Sequence, residues 1–205
     1  MAEILFSFER MQWQDVPEVM AIERRSFTLP WSANAYRHEI LENANAHYFV
    51  LRRRTERPDG WLSRLMRRAL TARIVGYGGF WFIVDEAHIS TIAIDVDWRS
   101  RGLGEYLLAS MIGRAIALRA ASLTLEVRES NLAAQSLYRK YGFVVTGKRP
   151  RYYQDNHENA LLMTVADVNT PAYQQTLSRL AARAAARVAQ PNDRSMPERA
   201  ARHPA

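Results

Sequence analysis

Thr91-Ile-Ala-Ile-Asp-Val-Asp-Trp-Arg-Ser-Arg-Gly-Leu-Gly-Glu-Tyr-Leu-Leu-Ala-Ser-Met-Ile112 joins two kinds of periodicity. The run from Ile89 to Ile94 is rich in β-branched residues and reads as a strand. Leu107, Leu108, Met111, Ile112, Ala115 and Ile116 recur at helical spacing and predict a helix over about 103–120. Between them lies Arg99-Ser-Arg-Gly-Leu-Gly104, two arginines and two glycines where the strand hands over to the helix. A helix start exposes unpaired N–H groups and the positive end of its dipole. Gly102 and Gly104 carry no Cβ, so an anion can come close to the backbone, and Arg99 and Arg101 add full charges. Such a turn suits a pyrophosphate. No Gly-Lys-Ser/Thr follows and the glycine spacing is not G-x-G-x-x-G, so neither nucleotide-loop pattern applies. A glycine turn with two solvated arginines is the other reading of these six residues.

Outward from this stretch, strands and helices alternate. Residues 4–10 read as a strand. Asp15 is placed to cap a helix through about Arg25, and Ser32 a second through about Leu41. Strands are expected over His47–Arg53, Arg73–Val84 and His88–Asp95, the last two joined by a turn at Asp85-Glu86. Ser122–Arg128 is a strand with Leu123, Leu125 and Val127 on one face and Thr124, Glu126 and Arg128 on the other. Asn131–Tyr141 is a short helix stopped by Gly142, and Phe143–Thr146 and Ala160–Val165 close the pattern as an antiparallel pair. The class is mixed α/β (α+β), without an internal repeat.

Two segments stand outside this body. The net charge of the 205 residues is +7. Residues 52–73 carry +6 and residues 169–205 carry +4, which leaves −3 for the rest. In 54–72, Trp61, Leu62, Leu65, Met66 and Ala69 form one helical stripe. Beyond Pro171, Tyr173, Leu177, Leu180 and Ala184 form another, mostly of small side chains with little area to bury, and the last fifteen residues read as disordered. The expected organisation is a catalytic domain over 1–168 with a basic insertion at 54–72, followed by an Ala/Arg-rich extension over 169–205. Either basic segment could meet RNA, anionic lipid or another acidic surface, or simply stay solvated. There is no cysteine, which removes disulfides, thiolate metal sites and a cysteine nucleophile. The five histidines show no ligand spacing, so no metal is assigned. The N-terminus is charged too early for a signal peptide and no stretch is apolar enough to span a bilayer, so a cytoplasmic protein is expected.

Several motifs in order resemble the GNAT acetyltransferases, most closely the RimI-like protein N-terminal alanine acetyltransferases. Arg99, Gly102 and Gly104 meet R/Q-x-x-G-x-G/A, preceded by Thr91-Ile-Ala-Ile-Asp95. Leu125-Glu-Val-Arg-Glu-Ser-Asn131 and Leu137-Tyr-Arg-Lys-Tyr-Gly-Phe143 match two further family patterns. Phe27-Thr-Leu-Pro-Trp-Ser32, Arg151-Tyr-Tyr153 and Glu158-Asn-Ala160 resemble the RimI-like members more narrowly, and the resemblance spans about residues 4–166.

The resemblance implies a twisted, mostly antiparallel central sheet, splayed at the cofactor-binding strand and flanked by helices. It implies acetyl-CoA as cosubstrate, with its pyrophosphate on the turn of Arg99, Ser100, Arg101, Gly102, Leu103, Gly104 and Glu105. The backbone of Ile92, Ala93 and Ile94 would pair with the pantetheine arm, and Asn131 would touch the cofactor rather than only cap its helix. Without a thiol, the simplest chemistry is direct attack by an amine in a ternary complex. A free α-amine has a pKa near ~8 and lysine near ~10.4, so either needs a base. The family assigns that role, through water, to the residue matching Glu126, and the acid to the residue matching Tyr138. The plain alternatives are an edge-strand Glu126 paired with Arg128, and a Tyr138 that only packs. Leu29, Trp31, Tyr152 and Tyr153 are candidates to line a peptide groove, with ordinary packing as the alternative. The inherited substrate is a protein N-terminus, with alanine of a ribosomal protein foremost; lysine side chains or a small amine stand second, and a ribosome- or RNA-binding module third.

Overall fold

The computed structural model describes residues 6–53 and 73–189. The predicted insertion at 54–72, the start of the first strand at residues 4 and 5, and the last fifteen residues lie outside them. Seven strands of the described residues form one sheet: β1 (Phe6–Arg10), β2 (Ala46–Arg53), β3 (Ile74–Ile83), β4 (Glu86–Ile94), β5 (Ser122–Arg128), β6 (Val144–Arg149) and β7 (Ala160–Val165). Their order is β1-β2-β3-β4-β5-β7-β6, antiparallel throughout except at β4–β5. Among the described residues, five helices flank it: α1 (Val16–Ser26), α2 (Ala33–Leu41), α3 (Leu103–Ala117), α4 (Leu132–Lys140) and α5 (Pro171–Ala189).

Alternation along the strands divides the core in two. On β2, Phe49 and Leu51 join the cluster beneath α3, whereas Tyr48 and Val50 join the one beneath α1 and α2. The parallel pair β4–β5 needs a crossover, and α3 supplies it with Leu107, Leu108, Met111 and Ile112 all buried.

Three local expectations change. Asp15 does not cap α1; its carboxylate accepts from the Gln12 N–H at 2.9 Å and pairs with Arg52 at 2.5 Å, because a one-turn 3-10 helix at Trp13–Asp15 precedes α1. The β3–β4 turn sits at Val84 and Asp85, one residue early, with Val84 at φ 59°. The stripe on α5 is not too small to pack: Leu177, Ala184 and Val188 are buried, and Leu177 and Val188 belong to the main core against α3. Ser32, by contrast, caps α2 as expected by accepting from the Ala35 N–H at 3.1 Å, and Gly142 ends α4 at φ 86°.

One irregularity opens the sheet. The β3–β4 register runs Gly79↔Thr91 and then Phe80↔Ile89, so Ser90 is an extra residue, a β-bulge. The β4–β5 ladder ends at the same place, its last pair being Ile89↔Leu125. Beyond the bulge β4 stays on β3 while β5 diverges, and a wedge opens between Thr91–Ile94 and Glu126–Arg128.

Candidate active site

The wedge exposes one side of the β4 backbone. Ile92, Ala93 and Ile94 pair with Gly78, Tyr77 and Gly76 on β3, and their other edge has no strand partner among the described residues. An extended chain carrying amide groups fits there as a missing strand. At the end of β4, Asp95 is buried and held by Arg25 at 2.8 Å and Arg73 at 3.0 Å, so the exit of the strand is rigid.

The turn that follows is an N-terminal nest. Ser100 sits at φ 62°, and Gly102, at φ 83°, is the residue before the first helical turn of α3. That conformation requires glycine at 102. Gly104 has no such requirement, and a Cβ there would meet nothing closer than Ile94 Cγ1 at 3.7 Å. The described residues therefore do not exclude a Cβ at 104, whereas an anion lying on the N–H groups would. The turn can take an anion on its exposed N–H groups.

The flanking side chains are less direct than the sequence suggested. Arg99 donates to the Ile94 carbonyl at 3.1 Å and to Ser26 Oγ at 3.2 Å, which ties the end of β4 to α1. Arg101 donates to the Asp97 carbonyl and lies over the Trp98 ring, 5.0 Å from its centre. Leu103 is buried, so only its backbone faces the turn. Glu105 is turned toward α4, taking Lys140 Nζ at 2.5 Å and the Tyr141 hydroxyl at 3.3 Å.

Glu126 is the first β5 residue past the last β4 pair, which puts its carboxylate at the throat of the wedge. Its side chain is 8% exposed. Oε2 meets His88 Nε2 at 3.0 Å and Oε1 meets Arg149 Nη2 at 3.0 Å. The His88 hydrogen bond, opposed by burial and helped by the charge of Arg149, holds the carboxyl below its ordinary range. The plain alternative fails on its pairing: Arg128 binds Asp155 at 2.7 Å and Glu158 at 3.1 Å instead. β5 is an inner strand of the sheet, although past Ile89↔Leu125 its β4 side is open among the described residues.

Tyr138 is buried on α4 against Phe143, and burial pushes its hydroxyl well above its ordinary value. That hydroxyl makes no hydrogen bond to the described residues. Asn131 does cap α4, its Oδ1 accepting from the Ala134 N–H at 3.1 Å, which leaves its amide nitrogen as a donor.

The groove candidates surround Glu126 from two sides. Trp31 stacks on Trp81, and Trp81 stacks on His88, so a continuous aromatic wall runs from the α1–α2 loop to the carboxylate. Opposite, Tyr152 packs edge-on to Tyr153, beneath the Arg149 guanidinium, and Tyr153 lies 3.9 Å under that of Arg128. Thr28 bonds Asp155 across the gap. Leu29 is exposed at the rim. Buried Glu23 sets the position of the wall, accepting from the Trp31 N–H at 2.9 Å and the Tyr36 hydroxyl at 3.0 Å; desolvation raises its pKa.

A splayed sheet, a glycine nest and a buried carboxylate between them are the parts of an acyl-transfer site. The model of the Acetyltransferase (GNAT) family matches residues 16–143. The chain belongs to the GNAT acetyltransferases. Like other members of that family, this acetyltransferase uses acetyl-CoA. It is 41% identical over 155 residues to a Bacillus subtilis (strain 168) protein provisionally named ribosomal protein bS18-alanine N-acetyltransferase, covering 76% of this chain and 91% of that one. It is 32% identical to the Salmonella typhimurium ribosomal protein bS18-alanine N-acetyltransferase over 74% of this chain and 90% of that one. The crystal structure of the ribosomal-protein-S18-alanine N-acetyltransferase from Escherichia coli superposes with a TM-score of 0.65 at 27% identity, covering 79% and 94% of the two chains.

Sequence reading of this acetyltransferase missed His88, Arg149 and Glu23. His88 lies 38 residues before Glu126, and only the parallel register of β4 and β5 (His88↔Thr124) brings them together. Among the described residues no three His, Asp or Glu groups are arranged to hold a metal ion, and no helix is long and apolar enough to cross a membrane.

Proposed function

We propose that this acetyltransferase moves the acetyl group of acetyl-CoA onto the N-terminal α-amine of a protein, the alanine of ribosomal protein bS18, in the cytoplasm. The observation that carries the reading is the position of Glu126, an ionised carboxylate at the throat of the wedge, in a chain whose relatives are named for that reaction.

Acetyl-CoA supplies the thioester carbon, with its pyrophosphate on the 99–105 turn and its arm along Ile92, Ala93 and Ile94. The peptide lies between Trp31 and the Tyr152–Tyr153 pair, with Leu29 at its rim. As the nitrogen bonds to the carbonyl carbon its remaining protons become strongly acidic. The carboxylate of Glu126 is then basic enough to take one, directly or through one water, despite its lowered pKa. The carbon–sulfur bond breaks, and the departing sulfur takes a hydrogen bond from Tyr138. A thiol titrates near ~8.5 and a phenol near ~10 before burial raises it, so the phenolic proton stays bound. Tyr138 thus stabilises the departing thiolate as a hydrogen-bond donor; the thiolate takes its proton from water, and Glu126 returns the amine's proton to solvent. Asn131 has its amide nitrogen free for the cofactor. The arginine segments draw no support as an RNA contact from the described residues.

The test is mass spectrometry after incubation with acetyl-CoA and two peptides, one with a free N-terminal alanine and an internal lysine, the other identical but N-terminally blocked. The expected product is a single acetyl group on the first peptide's α-amine. Acetylation of lysine in the blocked peptide, with none at the free α-amine, would falsify the assignment in favour of a side-chain acetyltransferase.

A further inference from the structure

The last turn of α5 reaches the cofactor turn. Arg187 Cδ, Nε and Cγ lie 2.9, 3.2 and 3.3 Å from the point that a Cβ on Gly102 would occupy. The arginine stem therefore lies directly on the open face of Gly102, and glycine there leaves it room. α5 is docked to do this: Ala184 and Val188, which flank Arg187 on the helix, are buried. The segment falls outside the residues 16–143 that the family shares.

The electrostatics of this contact are one-sided. A helix N-terminus favours anions and disfavours cations, and Arg187 lies across the N-terminus of α3. The one carboxylate in the first turn of α3, Glu105, is taken by Lys140 and Tyr141. Arg187 itself is exposed and forms no hydrogen bond or ion pair with any described residue. Arg99 and Arg101, the cations the sequence offers for the phosphates, spend hydrogen bonds on Ile94, Ser26 and Asp97. An exposed arginine whose stem lies on Gly102 thus carries its charge beside the first turn of α3, an arrangement that a bound anion completes.

We infer that Arg187 is a cofactor-binding residue, holding the pyrophosphate of CoA from above while the 99–105 turn holds it from below. The inference rests on the cofactor placement proposed above. It gives the C-terminal helix a function in this chain: part of the excess positive charge serves the enzyme's own cosubstrate.

The experiment is titration calorimetry of the full-length protein with three ligands: CoA, 3′-dephospho-CoA and pantetheine. Arg187→Gln keeps the stem on Gly102 and removes the charge, and Arg187→Lys keeps the charge. Loss of one charge-assisted contact predicts about tenfold weaker binding of both CoA and 3′-dephospho-CoA by Arg187→Gln. Pantetheine affinity is expected to stay unchanged, Arg187→Lys to recover part of the loss, and the melting temperature of the ligand-free protein to stay at the wild-type value. A penalty equal for pantetheine, a penalty confined to the 3′-phosphate, or no penalty at all overturns the role of Arg187. Wild-type protein that binds CoA no tighter than pantetheine overturns the placement of the phosphates as a whole, a separate result.

Discussion

Glu126→Gln isolates the proposed base. The amide replaces the carboxylate at constant size, with its oxygen toward Arg149 Nη2 and its nitrogen toward His88 Nε2, both at 3.0 Å in the native site. Arg149 is 54% exposed, and a half-exposed pair of this kind contributes at most about 1 kcal/mol. The variant therefore stays folded, with a melting temperature within a few degrees of wild type. Turnover behaves differently. A positioned general base contributes on the order of 10²–10⁴ in rate, or about 3–5 kcal/mol of barrier. The assay is release of free thiol from acetyl-CoA with an alanine-initiated peptide at saturating concentrations, at neutral pH and above the α-amine pKa of ~8. The expected result is a loss of at least ~100-fold at neutral pH that narrows in alkali, where hydroxide can take the proton instead. A folded variant whose turnover stays within about threefold of wild type at neutral pH removes Glu126 from the chemistry.

Tyr138→Phe removes a hydroxyl that bonds no described residue, so turnover is expected to fall by about 10² with little change in acetyl-CoA affinity; wild-type turnover would reduce Tyr138 to packing. Gly104→Val tests the nest, because a Cβ finds 3.7 Å of clearance within the fold: CoA affinity should drop sharply while thermal stability holds, and unchanged affinity would remove the phosphates from this turn. In His88→Leu the largest cause of the lowered Glu126 pKa is gone, so ¹³C NMR should find the carboxyl titrating at higher pH. The sign for stability follows: a carboxyl depressed in the folded state adds stability above its unfolded pKa that is lost as pH falls through its folded pKa. Denaturation midpoints should therefore depend less on pH in the acid range in His88→Leu, and an unaltered titration would show that the pair does not hold Glu126. Leu177→Ala, at an 8% exposed position on the packed face of α5, should cost about 2–5 kcal/mol in urea denaturation, whereas a loss below about 0.5 kcal/mol would mean that α5 is not docked on α3.

Local chemistry was legible in the linear sequence wherever a residue acts on its immediate neighbours. Ser32 caps α2, Gly142 stops α4, and the alternation of Leu123, Leu125 and Val127 puts Glu126 on the face away from the main core because strand and helix periodicities are fixed by covalent geometry. The Arg99–Gly104 pattern likewise marks a nest, since glycine spacing and a following helix suffice to make one. What the chain order could not contain is which distant groups meet. The bulge at Ser90 and the end of the β4–β5 ladder at Ile89 open the wedge, and neither has a signature in the residues themselves. The partners of Glu126 came from the tertiary structure alone: His88 through a parallel register, and Arg149 on β6, which reaches Glu126 on β5 from beyond β7. The same holds for Arg187, one of six arginines in a basic tail, which only the docking of α5 on α3 sets against Gly102. Periodicity assigns a side chain to a face, but charge pairing depends on ångström distances between faces, and those are settled only when the sheet and its helices pack.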